Sequence, residues 1–313
     1  MKSNSILLAA GLLAVIPVVA HAKIERVVEK TFTVQPGGLL TVETQGGSVS
    51  VKTASENTVK VVAKETIKAG SESEADELLK NLTLTIEQSA GGVSAISKYE
   101  KGSSGFHWGS WPPVQVSFVV TVPTNYNVRL KTSGGDIAVG NLDGKVNART
   151  SGGNVSLGKI SGDLDAGTSG GDVRLEEGSA QVKLGTSGGN VSVERAVGPT
   201  ELDTSGGDIK IGTVENRLHA STSGGNVSAG ILGKLRGDCV LSTSGGRVHA
   251  TVDAGVAFDL DASTSGGDVK AEGLTITIEK GGSGRSRLAG KVNGGGPLLK
   301  LRSSGGDIRV ETR

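Results

Sequence analysis

Residues 132–149 read TSGGDIAVGNLDGKVNAR, and the opening tetrapeptide, TSGG or in its last copy SSGG, occurs nine times in the chain. Ser133, Ser151, Ser169, Ser187, Ser205 and Ser223 stand 18 residues apart; the interval lengthens to 21 before Ser244 and Ser265, and to 39 before Ser304. A fixed period of this length marks a stacked-repeat architecture. Two places after each Gly-Gly comes an aliphatic residue (Ile137, Val155, Val173, Val191), and two further on another (Val139, Leu157, Leu175, Val193). A second alternating pair precedes the next TSGG, as in Val146 and Ala148 or Leu164 and Ala166, with polar residues between. Period-two alternation is a strand signal, and it appears twice per repeat. Each repeat therefore predicts two short strands and two bends, one of the bends being TSGG.

An 18-residue coil cannot bury its apolar face alone, whereas stacking at about 4.8 Å turns each column into a ladder of like residues. The expected fold is all-β: a parallel β-solenoid of 18–21-residue coils. Right-handed winding is expected by analogy with parallel crossovers. The six-residue pattern of a left-handed triangular helix is missing. Each TSGG threonine precedes the turn at a position whose alternation points it inward or edge-on.

Residues 1–22 combine Lys2, an apolar run and Ala20-His21-Ala22, the pattern of a secretory signal peptide. The mature chain is expected to start at Lys23 with no transmembrane segment. It would reach the periplasm, the cell surface or the medium by the general secretory route. Residues 23–131 are β-rich with one helix, SESEADELLKNL at 71–82, and are expected to cap a solenoid formed by 132–313 and to be continuous with it. The stretch 281–297 predicts a flexible insertion or hairpin, and the closing DIRVETR an exposed sheet edge guarded by Arg309, Glu311 and Arg313. Of 33 basic residues Lys2 lies in the leader, leaving 32 against 32 acids, with no electrostatic footprint for nucleic acid. The single cysteine, Cys239, aligns with the inward column of Val146 and Val182 and is expected to be a core thiol.

SGG invites comparison with serine proteases, but a catalytic constellation is needed once, not nine times, and only His107, His219 and His249 follow the leader. No enzyme activity is expected. Calcium ladders of the β-roll type need GGxGxD, whereas here Ile or Val follows SGGD or SGGN directly, so no metal and no cofactor is expected. The corner column Asp136, Asn154, Asp172, Asn190, Asp208, Asn226 alternates acid and amide, which spaces like charges and lets amides bridge them. It is either a structural ladder or a polar stripe that docks an extended polymer. The segment 99–118 holds Tyr99, Phe106, Trp108, Trp111 and Phe118, five of the eight aromatics. Tyr99, Phe106, Trp108 and Trp111 lie in or beside a Gly/Ser/Pro loop and are candidates for stacking on sugars or anchoring a partner, or for plugging the end of the solenoid.

The xFxVxPGGxLxV start, the VTVPTNYNVRLKTSGGDI entry, the repeated coils and NGGGPLLKLRSSGGDIRVE at 293–311 together resemble the bacterial putative-adhesin domain family of unknown function. The resemblance covers most of the mature chain. It implies a β-solenoid of the cell envelope or surface and supplies no catalytic motif. The expected function is that of an exported, non-enzymatic surface-binding protein making multivalent contacts with a glycan, cell-wall polymer or envelope protein. The alternative is a periplasmic envelope-stress accessory or sensing protein, with a polysaccharide-active enzyme behind both.

Overall fold

The computed structural model describes residues 23–100 and 112–313. The chain is a two-sided parallel β-solenoid whose described strands form one 13-stranded and one 14-stranded sheet, here called A and B. Every repeat supplies one strand to each. Val155–Ile160 pairs in parallel with Ile137–Val139 on one side and Val173–Gly178 on the other in sheet A, while Val146–Arg149 and Leu164–Gly167 pair in sheet B. The register follows the repeat: Ile137, Val155, Val173, Val191, Ile209, Val227 and Val248 stack as one buried column, and Val128, Val146, Leu164 and Val182 as another facing it. A single apolar cluster fills the space between the sheets. Phe118, Tyr126 and Phe258 are its only fully buried aromatics among the described residues, so the core is thin and aliphatic.

Three hydrogen-bonded ladders hold the TSGG corners. Each threonine is buried at the inner edge and faces two coils. Thr168 Oγ1 donates to the Gly153 carbonyl of the preceding coil at 2.8 Å and accepts from Gly171 N–H of its own at 3.3 Å, and Thr150, Thr186, Thr204 and Thr222 do the same. The first glycine bonds the serine carbonyl one coil back, as Gly170 N to Ser151 O at 2.9 Å. The second glycine is needed for space alone: a Cβ on Gly153, Gly171, Gly189 or Gly207 would lie 2.0–2.2 Å from the carbonyl oxygen of the glycine one coil back. TSGG is therefore a corner whose threonine hydroxyl, serine carbonyl and second glycine are each fitted to a neighbouring coil.

Both ends of the stack depart from sequence order. Leu298–Ser303 lies between Cys239–Thr243 and Phe258–Thr264, and Ile308–Thr312 between Val248–Val252 and Val269–Glu272. The last coil in the chain is thus inserted beneath the one that precedes it. The 39-residue gap records this: Arg287–Val292 pairs antiparallel with Phe258–Thr264 and with Ile276–Gly284, a hairpin that widens sheet B and returns the chain. The expectation of an exposed edge at DIRVETR is corrected here, because Ile308–Thr312 has a partner on each side. At the other end Leu39–Glu43 and Val49–Ala54 are likewise enclosed, by Gly92–Tyr99 and Val114–Pro123 outside and Asn127–Lys131 and Ile137–Val139 inside. Lys23–Thr33, Thr58–Lys68 and Leu82–Ser89 complete that end by antiparallel pairing.

The one helix spans Glu72–Leu79, starting where expected, with Ser71 Oγ accepting from Glu74 N–H and Glu72 and Glu74 in its first turn. It is shorter than the apolar stripe suggests, since Leu82 already opens the strand Leu82–Ser89. Cys239 is fully buried between Leu218 and Leu299, and burial pushes its thiol up to about 11. A thiol so protonated and enclosed should ignore a disulfide reagent at neutral pH until the stack opens. Rapid labelling of the native chain would contradict this placement.

Candidate functional site

The Asp/Asn column lies along one edge of the solenoid at the corner leading into sheet A, and the structure brings all six residues into a single file. Each side-chain Oδ1 accepts the backbone N–H of the residue one coil on. Asp136 receives Asn154 N at 2.7 Å, Asn154 receives Asp172 N at 2.8 Å, and the chain continues through Asn190, Asp208 and Asn226 to Arg247 N at 2.9 Å. The amides add a second bond: Asn190 Nδ2 to Asp172 Oδ1 at 3.3 Å and Asn226 Nδ2 to Asp208 Oδ1 at 3.1 Å. One oxygen of every residue in the file is therefore engaged with the next coil, while the Asp136 and Asp208 residues and the three Asn residues remain exposed.

This ladder explains the alternation. Replacing Asn190 by Asp would remove an amide donor and set three carboxylates in succession, at a cost of about 1 kcal/mol per neighbour in water. Asn190→Asp should lower the urea midpoint at low ionic strength and recover most of it in high salt. No recovery would show that the lost amide bond, not charge, dominates.

Tyr99 closes the strand Gly92–Tyr99, where it is partly buried against the cluster of Ile67, Ala69, Ala75 and Val114, and its N–H donates to Gln45 Oε1 at 3.0 Å. Phe106, Trp108 and Trp111 lie outside the described residues. The segment that contains them joins a sheet B strand to a sheet A strand, the connection that TSGG makes in every other coil. Tyr99, the last strand residue before it, stands beside Gln45 of the first Gly-Gly corner.

The outward positions of each repeat are the polar residues between the aliphatic pairs. In the fold they are columns. Over sheet B, Asn127, Lys145, Asp163 and Gln181 form one row, and Arg129, Asn147, Asp165 and Lys183 another two residues along. Between them runs an open trough of about 620 Å³ crossing four coils. Most of its charges are paired along the stack: Lys145 with Asp163 at 2.9 Å, Arg149 with Asp165 at 2.5 Å, Lys183 with Glu201 at 3.0 Å, while Arg129 makes no ion pair among the described residues. These pairs hold the side chains in file while cancelling their field. Gln181, Thr200, Glu201, Arg217 and His219 continue the trough for two further coils. Beside it Gly167 and Gly185 replace side chains, leaving a recess of about 260 Å³ bounded by Arg149 and Asp203. Burial, and then Glu201, raises the Asp203 carboxyl above the usual carboxylate range, opposed by His219 and Lys183. Reading the polar positions with the same 18-residue period as the apolar ones would have revealed both rows.

Fold and surface together define a repeat protein that presents parallel files of polar side chains on a rigid, two-sheet parallel β-solenoid. The chain belongs to the Toastrack DUF4097 family, whose model matches residues 39–311, and whose function is unknown. No curated protein matches it. Similar solved structures include a putative adhesin from Parabacteroides distasonis (11% identity, 92% of this chain and 97% of that one, TM-score 0.49). A putative adhesin from Bacteroides fragilis is 12% identical over the same shares with a TM-score of 0.40. A putative lipid binding protein from Parabacteroides distasonis is 12% identical over 91% of this chain and 96% of that one, with a TM-score of 0.36. No helix among the described residues is long and apolar enough to cross a membrane.

Proposed function

We propose that this chain is an exported, non-enzymatic binding protein of adhesin type that lays an extended envelope polymer, a polysaccharide, along the solenoid. Residues 127–183 present the surface, its first coil being supplied by Asn127–Lys131 at the end of the capping region 23–131. The observation that carries the reading is the sheet B trough, in which four successive coils offer the same two rows of donors and acceptors. A ligand lying along the stack meets a similar contact set every ~4.8 Å, so weak contacts sum as its length grows. Because Lys145 pairs with Asp163, Asp165 with Arg149 and Lys183 with Glu201, leaving Arg129 as the one unpaired cation of the rows among the described residues, the rows favour a hydroxyl-rich chain of low charge over a polyanion or polycation. The aromatic segment at 99–111 stands as a second contact for sugar rings.

Purified cell-wall polysaccharides and a glycan array test this. The expected result is length-dependent binding that falls at least about tenfold in Asn147→Ala/Lys183→Ala, the loss of one or two charge-assisted hydrogen bonds. Trp108→Ala/Trp111→Ala should weaken the same ligands if the aromatic segment shares the site. Retention of no saccharide would overturn the reading, and turnover of one would overturn its non-enzymatic part.

A further inference from the structure

The outer face of sheet A carries a different pattern. One row reads Arg174, Ser192, Lys210, Ser228, His249, Arg309 and Lys270 along the stack, without an acid. The row beside it supplies acids at both ends, Glu176 and Glu194 on one side and Glu311 and Glu272 on the other. In between, three successive coils place Gly212, Gly230 and Thr251 there instead. The acids that accompany the basic row elsewhere are missing from these coils.

The two glycines also lower the surface. A Cβ on Gly230 would lie 2.1 Å from the Gly212 carbonyl oxygen, and one on Gly212 2.5 Å from that of Glu194, so neither position accepts a side chain. A glycine inside a strand marks a place of close approach. The result is a recess of about 340 Å³, floored by glycine backbone and rimmed by Lys210, Ser228, His249, Thr251 and Arg313. Among the described residues no Asp or Glu side chain lines it. Lys210 is exposed and makes no ion pair among the described residues. Asp253 holds Arg313 from outside the recess at 3.1 Å, and Glu311 Oε1 lies 3.0 Å from His249 Nε2 but out of line, leaving that nitrogen without a hydrogen bond.

The unpaired ammonium of Lys210, the guanidinium of Arg313 with donors beyond the one that Asp253 holds, and the hydroxyls of Ser228 and Thr251, set around a floor of glycine backbone, are a donor set for a tetrahedral oxyanion. We infer that this recess binds a phosphate group, free or as a monoester, independently of the polymer trough on the opposite sheet. Lys210 and Arg313 supply the charge, and Ser228 and Thr251 donate to the remaining oxygens.

Calorimetric titration of the full chain with inorganic phosphate, glucose 6-phosphate and glucose tests the assignment. Saturable binding of inorganic phosphate is expected, with none of glucose. Glucose 6-phosphate binding equally well marks the site as one for phosphate esters, and its exclusion marks one for the free ion. Lys210→Gln should weaken binding about tenfold, the loss of one charge-assisted contact. Ser228→Asp, which brings a carboxylate to an outward position, should abolish it. Lys183→Gln on the opposite sheet should leave it unchanged. Absence of a saturable response to phosphate, or equal affinity in wild type, Lys210→Gln and Ser228→Asp, overturns the proposal. Circular dichroism verifies that the variants keep the fold.

Discussion

Gly189→Ala is expected to destabilise the solenoid by about 3 kcal/mol or more, while Gly188→Ala, one residue earlier, should change stability by less than about 1 kcal/mol. The two glycines differ only in what lies beneath them. A Cβ on Gly189 would sit 2.0 Å from the Gly171 carbonyl oxygen, and one on Gly188 would meet Gly170 O at 3.5 Å, an ordinary contact. Neither has the positive φ that would require glycine on backbone grounds. The clash cannot be relieved by a side chain moving aside, because the obstructing atom is backbone within two ladders, the Thr186 Oγ1–Gly171 O bond of 2.8 Å among them. Urea unfolding of the two variants side by side is the measurement. Similar midpoints would mean that the coils separate more readily than their corner geometry implies.

Deleting residues 298–313 should cost more than the deleted coil. Leu299, Leu301, Ile308 and Val310 are fully buried, each worth roughly 1.5–3 kcal/mol of burial. The segment is also the floor for Phe258–Thr264 and Val269–Glu272, which touch the rest of the stack through it. Arg302 binds Asp261, and Leu298 N–H donates to Asp238 Oδ1 at 2.8 Å, so the inserted coil is tied on both faces. Hydrogen exchange should therefore show protection lost over 258–292 while 137–231 stays protected. Protection retained over 258–272 would mean that the outer coil redocks on Cys239–Thr243 and Val248–Val252, and that the insertion is not required for its order.

The regular part of this fold is legible because one period governs everything. Val155, Val173 and Val191 announce a column by recurring at 18, and stacking then dictates their register. The corner threonines and the Asp/Asn file follow from the same count, and so does Cys239 in its core position. The ends are not legible in this way. Nothing in DIRVETR distinguishes a strand with one partner from a strand with two, since alternation records which side chains are buried and is silent on what lies to either side in the sheet. The doubled interval before Ser304 was the signal, and only a structure says that the chain went out and came back. The polar files are half legible. Asp136 to Asn226 stand out because they sit next to the motif, whereas Arg129, Asn147, Asp165 and Lys183 vary in type, so that only their 18-residue spacing marks them as a row.

The enclosed ends bear on how such a protein can change length. A stack finished by its last coil in sequence could gain or lose coils at that point freely. Here the coil at 298–312 fits between two specific neighbours, and the coil at 39–54 does so at the opposite end, so both termini are keyed to their surroundings. Growth is confined to the interior, where each joint is alike and a duplicated 36-residue unit would carry the Asp/Asn alternation with it. The solenoid is in that sense a ruler with fixed end pieces, its length adjustable in steps of two coils without redesign of either end.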